Sequence, residues 1–169
     1  MVTMEEYGKL LAACPSQEWR TIVALARVGG LRCPSELQQL RWSDIDWQGK
    51  RFTVHSPKTE RHAGQEKRTV PLFDELRAEL DKHDKTTEFV IQGLQGGSWN
   101  LNDRFQAIAR RAGIGNVVRP FDNMRMSRSN EVLERWGAHK ESLWIGHTAK
   151  VMQKHYLCLS DEDFSDAAG

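Results

Sequence analysis

Apolar positions in this chain change their spacing from the helical repeat to strand alternation and back. Thr3 and Glu6 form a capping-box pattern ahead of a first helix, about residues 4–13. Pro15-Ser16 interrupts it, and Trp19, Ile22, Val23 and Ala26 mark a second amphipathic helix closed by Gly29-Gly30. Pro34 suits the first turn of a third helix carrying Leu37 and Leu40. The run DWQGKRFTV then reads as a turn entering a strand at 51–55, with KRTVPL as its partner at 67–71, so residues 56–66 become a hairpin tip. Leu72, Leu76 and Leu80 restore helical spacing, and EFVI suggests a short strand. Glycines 93, 96 and 97 make a loop before a helix at about 101–112. Further helices are expected at about 121–136, 140–146 and 148–158. The expected fold is mainly α with a small antiparallel β-sheet, an α+β domain over residues 1–160, followed by an acidic, flexible tail at 161–169.

Composition narrows the function classes. At 169 residues the chain is long enough for one well-packed domain and short for two. No apolar run approaches the ~18 residues of a membrane span, and MVTMEEYGKL lacks a signal-peptide pattern. Three cysteines without CxxC spacing, and six histidines never in HExxH spacing, argue for a reduced, cytoplasmic setting with no disulfide framework and no metal.

Charge is unevenly spread behind a net of +1. Residues 50–68 carry six Lys/Arg against Glu60 and Glu66, and residues 104–135 carry seven arginines against Asp122, Glu131 and Glu134. Such segregation can build a positive face on a nearly neutral protein, and is equally compatible with two solvated basic faces.

Four stretches carry candidate chemistry: GGLRCPSEL with Arg32, SPKTER with Lys58, DNMR with Arg125, and IGH with His147, nine residues before Tyr156. In this order they resemble the catalytic domain of the tyrosine recombinases, the phage-integrase family, over roughly residues 3–160. The resemblance implies an integrase-type DNA breaking-rejoining fold and strand cleavage through a covalent 3′-phosphotyrosine. Two guanidiniums, Arg32 and Arg125, would grip the scissile phosphate as bidentate forks. His147 would hydrogen-bond a nonbridging oxygen, Tyr156 would be the nucleophile, and Lys58 would be the acid for the departing 5′ oxygen. No cofactor, nucleotide or metal is implied. The partner would be double-stranded DNA, with a monomer alone assembling to a homo-oligomer, a tetramer, on DNA, and no membrane.

Each residue also has a plainer reading. Arg32 can pair with Glu36 across one helical turn, Arg125 with Asp122, Lys58 can simply be solvated, and His147 can begin a helix. Nine residues of continuous helix would put His147 and Tyr156 on opposite faces, so a break at Gly146-His147-Thr148 is expected, with Thr148 as N-cap. Two departures from the family pattern stand out. Asp122 occupies the place of the family's first histidine, where a carboxylate would repel phosphate unless Arg125 or Arg128 neutralises it or it is protonated. Glu36 lies one position later than the family's acidic residue, a change expected to be harmless. The family's preceding DNA-clamping domain has no room here. The rival functions are a type IB topoisomerase and a non-catalytic DNA-binding protein on the same scaffold.

Overall fold

A computed structural model describes residues 1–56, 67–96 and 100–147. Among these are five helices and a small three-stranded antiparallel sheet. The helices are α1 (Met4–Ala13), α2 (Gln17–Arg27), α3 (Asp74–Lys82), α4 (Leu101–Arg111) and α5 (Pro120–Trp144); the strands are β1 (Ile45–Asp46), β2 (Arg51–His55) and β3 (Lys67–Pro71), in the order β1-β2-β3.

The first helix starts as the sequence predicts. Thr3 accepts from the Glu6 backbone N–H at 3.1 Å, and Glu6 accepts from the Thr3 N–H at 2.8 Å, satisfying two otherwise orphaned donors. Helix α2 is the centre of the fold. Its residues Thr21 to Arg27 are all buried, because α1, α3 and α5 pack around it. Ile22, Leu25, Phe52, Val70, Leu76, Leu80, Phe105 and Met124 build one continuous core, each such side chain contributing on the order of 2 kcal/mol by leaving water. Several of the polar groups drawn into this core are paired, while the Tyr7 hydroxyl has no hydrogen-bond partner among the described residues. Arg27 donates to the Val2 carbonyl at 2.7 Å and to both carboxylate oxygens of Glu131, tying α2 to α5.

β2 and β3 pair as expected, with Phe52 opposite Val70 and Val54 opposite Arg68. Residues 57–66, the expected hairpin tip with Lys58, lie outside the described residues.

Two local expectations are corrected. No third helix follows Pro34; residues 33–36 form a turn, and only Leu37–Gln39 make a 3₁₀ turn. The cause is tertiary: Leu40 accepts from Val90 N–H at 2.9 Å and Arg41 bridges Phe89, so the chain must extend at 40. The same contact replaces the EFVI strand with an isolated bridge. The two helices expected at about 121–136 and 140–146 are both present within α5, separated by a kink at Gly137, whose backbone is non-helical (φ 83°).

Candidate active site

The turn after α2 brings in the first candidate. Gly30 has φ +67°, and a Cβ there would sit 2.6 Å from Ile145 Cδ1, so only glycine allows α2 to end against the C-terminus of α5. Arg32 follows immediately. Arg125 comes from the first half of α5, and His147 from just beyond its end. All three line one cleft of about 650 Å³, together with Cys33, Arg119, Asp122 and Asn123.

A single buried carboxylate organises this site. Glu36, 1% exposed, accepts from Arg32 Nη1 at 2.7 Å and from the Arg32 backbone N–H at 2.7 Å. Both of its oxygens accept from Arg68, at 2.6 and 2.7 Å, and the Ser56 hydroxyl donates to it at 2.8 Å. Arg125 Nη1 stands 3.8 Å away. Burial alone would push the Glu36 carboxyl up, but the hydrogen bonds and charge of Arg68, then Arg125 and the Arg32 N–H, outweigh it and hold the group down to about 2. The shift of Glu36 along the chain, expected to be harmless, therefore leaves it as the anchor of three cations.

The same three arginines grip three consecutive carbonyls at the end of α5. Arg68 Nε donates to the Trp144 carbonyl at 2.9 Å, Arg125 Nη2 to that of Ile145 at 2.6 Å, and Arg32 Nη2 reaches that of Gly146 at 3.5 Å. Arg125 Nη1 also donates to the Gly30 carbonyl. Among the described residues these carbonyls have no backbone partner, and the guanidiniums cap this end of the helix. The peptide preceding His147 is thereby fixed to the two arginines that face the cleft. Burial, with repulsion from Arg68 and Arg32, lowers the Arg125 pKa, opposed by Glu36 and Glu141. Arg125 uses two of its five N–H donors on carbonyls and Arg32 remains 25% exposed, so both keep donors for an anion in the cleft.

The plainer reading of Arg32 is thus realised as well: it does pair with Glu36, and the pair is part of the site. The plainer reading of Arg125 is not, because Asp122 pairs with Arg119 at 2.7 Å. Neither Arg125 nor Arg128 neutralises Asp122, which is 67% exposed at the cleft's rim. Arg128 instead bonds Glu131 and lies 3.8 Å over the Phe73 ring. Cys33 is no rival nucleophile: burial, with Asp122 nearby, pushes its thiol up to about 12. Tyr156, Lys58 and the expected cap Thr148 lie outside the described residues. Among the described residues no group of His, Cys, Asp and Glu is arranged to hold a metal ion.

Sequence reasoning counted Arg68 as surface charge and passed over Ser129 and Glu141, which contact His147. A signal existed for two of them. Arg68 is two residues from Val70 on a strand and so shares its inward face, and Ser129 is one helical turn from Arg125. The proposed basic face loses members accordingly, since Arg68 is largely internal and Arg125 and Arg128 are buried, while Arg104, Arg110, Arg111 and Arg119 are exposed.

The chain matches the model of the Phage integrase family over residues 1–162. It belongs to that family. Among solved structures, the fold is similar to XerA recombinase, with TM-score 0.73 and 20% identity, covering 98% of this chain and 62% of that one. It is similar also to the catalytic domain of bacteriophage HP1 integrase, with TM-score 0.67 and 20% identity, covering 99% and 92%. A lambda integrase (75-356) dimer bound to a COC′ core site gives TM-score 0.66 and 21% identity, covering 89% and 58%. The chain thus spans less than two thirds of the XerA and lambda integrase chains. No curated protein sequence matches it. Among the described residues, no helix is long and apolar enough to cross a membrane.

Proposed function

We propose that this phage-integrase domain cuts and rejoins DNA at specific sites, in the cytoplasm, with Tyr156 as nucleophile. The single observation that carries the reading is the convergence of Arg32, Arg125 and His147 on one cleft, with the two guanidiniums anchored to one buried carboxylate. A phosphodiester transition state accumulates charge on its nonbridging oxygens, and preorganised cations at those oxygens are usually the largest catalytic contribution. Tyr156 would attack phosphorus, the 5′ oxygen would leave with a proton from Lys58, and the phosphotyrosine would conserve the bond energy for religation. The lambda integrase relative is bound to a DNA core site in its solved structure, which supports duplex DNA as the partner. Assembly to a tetramer on DNA belongs to the same proposal.

The test is a nicked suicide substrate that traps the covalent protein–DNA adduct. Tyr156→Phe is expected to abolish the adduct while DNA binding, which should weaken steeply with added salt through counterion release, persists. Religation to a different duplex separates recombinase from topoisomerase. The second reading, a DNA-binding protein without strand cleavage, is favoured by one feature, the rim carboxylate of Asp122. It predicts binding with no adduct on any nicked substrate.

A further inference from the structure

His147 is held through one of its two ring nitrogens. Nδ1 lies 2.7 Å from Glu141 Oε1 and 3.2 Å from the Ser129 hydroxyl, and Ser129 donates to the same carboxylate oxygen at 2.5 Å. An ionised carboxylate only accepts, so in this pair Nδ1 carries the proton and Nε2 is the nitrogen left over. Among the described residues nothing hydrogen-bonds Nε2, and the imidazole lines the cleft beside Arg32 and Arg125. Glu141 is itself fully buried, and its second oxygen, Oε2, has no hydrogen-bond partner among the described residues. A buried carboxylate with an unsatisfied oxygen is costly, and an apolar side chain at this place on α5 would avoid that cost. Asp122, by contrast, stands at the position of the family's assisting histidine but is exposed and spent on Arg119.

We infer that Glu141 and Ser129 are positioning residues that hold His147 as its Nδ1–H tautomer, so that Nε2 serves as the acid–base group that Asp122 does not supply. The inference rests on Tyr156 being the nucleophile. As the tyrosine oxygen bonds to phosphorus, its phenolic proton passes to Nε2, leaving an imidazolium facing Glu141. The phosphorus–5′ oxygen bond breaks, and that oxygen takes a proton from Lys58. On religation the 5′ hydroxyl returns its proton to Lys58, attacks phosphorus, and the departing tyrosine oxygen recovers the proton from Nε2. Among the described residues the charged groups facing the ring are Glu141 from α5, Arg32, Arg119, Asp122 and Arg125 around the cleft, and Arg68 from β3, whose Cδ would lie 3.3 Å from a Cβ on Gly146. A carboxylate behind an imidazole behind an attacking hydroxyl is the general logic of an activated nucleophile.

Two measurements decide it, both on the full chain. The first is nitrogen NMR of the neutral His147 ring without DNA. The proton is expected on Nδ1 in the wild type, with a mixture of tautomers in Glu141→Gln; an Nε2–H wild type overturns the inference. The second is adduct formation at saturating DNA. Glu141→Gln is expected to lower the cleavage rate on the order of 10²-fold with DNA affinity unchanged. A substrate carrying sulfur at the 5′ bridging position needs no acid for its leaving group. It should rescue Lys58→Ala but not Glu141→Gln. Ser129→Ala should fall between Glu141→Gln and the wild type. If Glu141→Gln folds and cleaves at the wild-type rate, or if the sulfur substrate rescues it, the relay is wrong although Tyr156 still forms its adduct. If no wild-type adduct forms at all, the reading of the whole site fails with it.

Discussion

Two buried carboxylates in this molecule carry opposite lessons. Glu79 on α3 is met by Arg20 Nε and Nη2 at 2.7 and 2.8 Å and by Gln17 at 3.1 Å, while Arg20 Nη1 goes to the Leu11 carbonyl. Among the described residues its further cation is Lys82, whose side chain is 57% exposed and shares its charge with water. Glu36 also carries bidentate arginine, yet two more guanidiniums crowd it and none of the three is more than 25% exposed. The first cluster pins α1, α2 and α3 together, and its surplus cation, Lys82, is solvated. The second holds unneutralised positive charge beside an open cleft, a costly arrangement unless an anion enters. On the proposed function, cations held out of water beside a cleft mark the place that would receive a phosphate, whereas the Glu79 cluster is a structural ion pair.

The sharpest way to break this comparison is to remove one cation from each cluster. Arg32→Gln should cost on the order of 10² or more in adduct formation, as loss of one oxyanion donor does elsewhere, with thermal stability unchanged or raised. Glu36 keeps Arg68 and Arg125, and mutual repulsion falls. Arg20→Gln should do the reverse, losing about 1–3 kcal/mol of stability while the rate per folded molecule stays the same. Calorimetry and adduct kinetics on both variants check this. A large stability loss in Arg32→Gln, or a rate loss in Arg20→Gln, would erase the distinction.

The difference also explains what was readable in the sequence. Several parts of the fold follow local rules. The Thr3–Glu6 capping box, the α2 face of Trp19, Ile22 and Val23, and the β2–β3 alternation all appear where expected, because each is decided by neighbours within a few residues. The absent helix after Pro34 was hidden because Val90, far along the chain, takes the Leu40 carbonyl. Within the candidate site, the motifs singled out Arg32, Arg125 and His147, and the three line one cleft. The residues that organise them, Arg68, Ser129 and Glu141, sit in contexts that look like ordinary strand and helix surface, and only their tertiary partners reveal them.

Acid should treat the two clusters alike in sign and differently in consequence. Glu79 and Glu36 are both held down to about 2 from an ordinary 4.5, Glu79 chiefly by its Arg20 hydrogen bond. A carboxylate depressed in the folded state stabilises it fully above the ordinary value, and that contribution is lost as pH falls from about 4.5 towards 2. Stability measured by denaturant titration should therefore decline across that window. Glu79→Gln should lower the plateau and flatten the decline. Glu36→Gln should flatten it too but also stop cleavage at neutral pH, because three guanidiniums would lose their common anchor. A decline of unchanged steepness in both variants would mean that other carboxylates govern the acid limb.

The smallest expected effect lies at the rim of the cleft. Asp122 and Arg119 are 67% and 78% exposed, and a pair so solvated contributes between zero and about 1 kcal/mol. Asp122→His should therefore leave stability within that range. It also frees Arg119 and removes a negative charge from the phosphate's approach, so DNA affinity should rise slightly, more at low salt than at high. Its effect on cleavage separates two views of the site. If the buried pair of Glu141 and His147 already moves the tyrosine proton, a second imidazole at position 122 adds less than about tenfold, below the usual range for a new acid–base group. If Asp122 is what limits the site, restoring a histidine should accelerate adduct formation by 10² or more. Single-turnover cleavage by Asp122→His, alone and combined with Glu141→Gln, distinguishes them: a rescue seen only in the combined variant would show that the two positions compete for one proton.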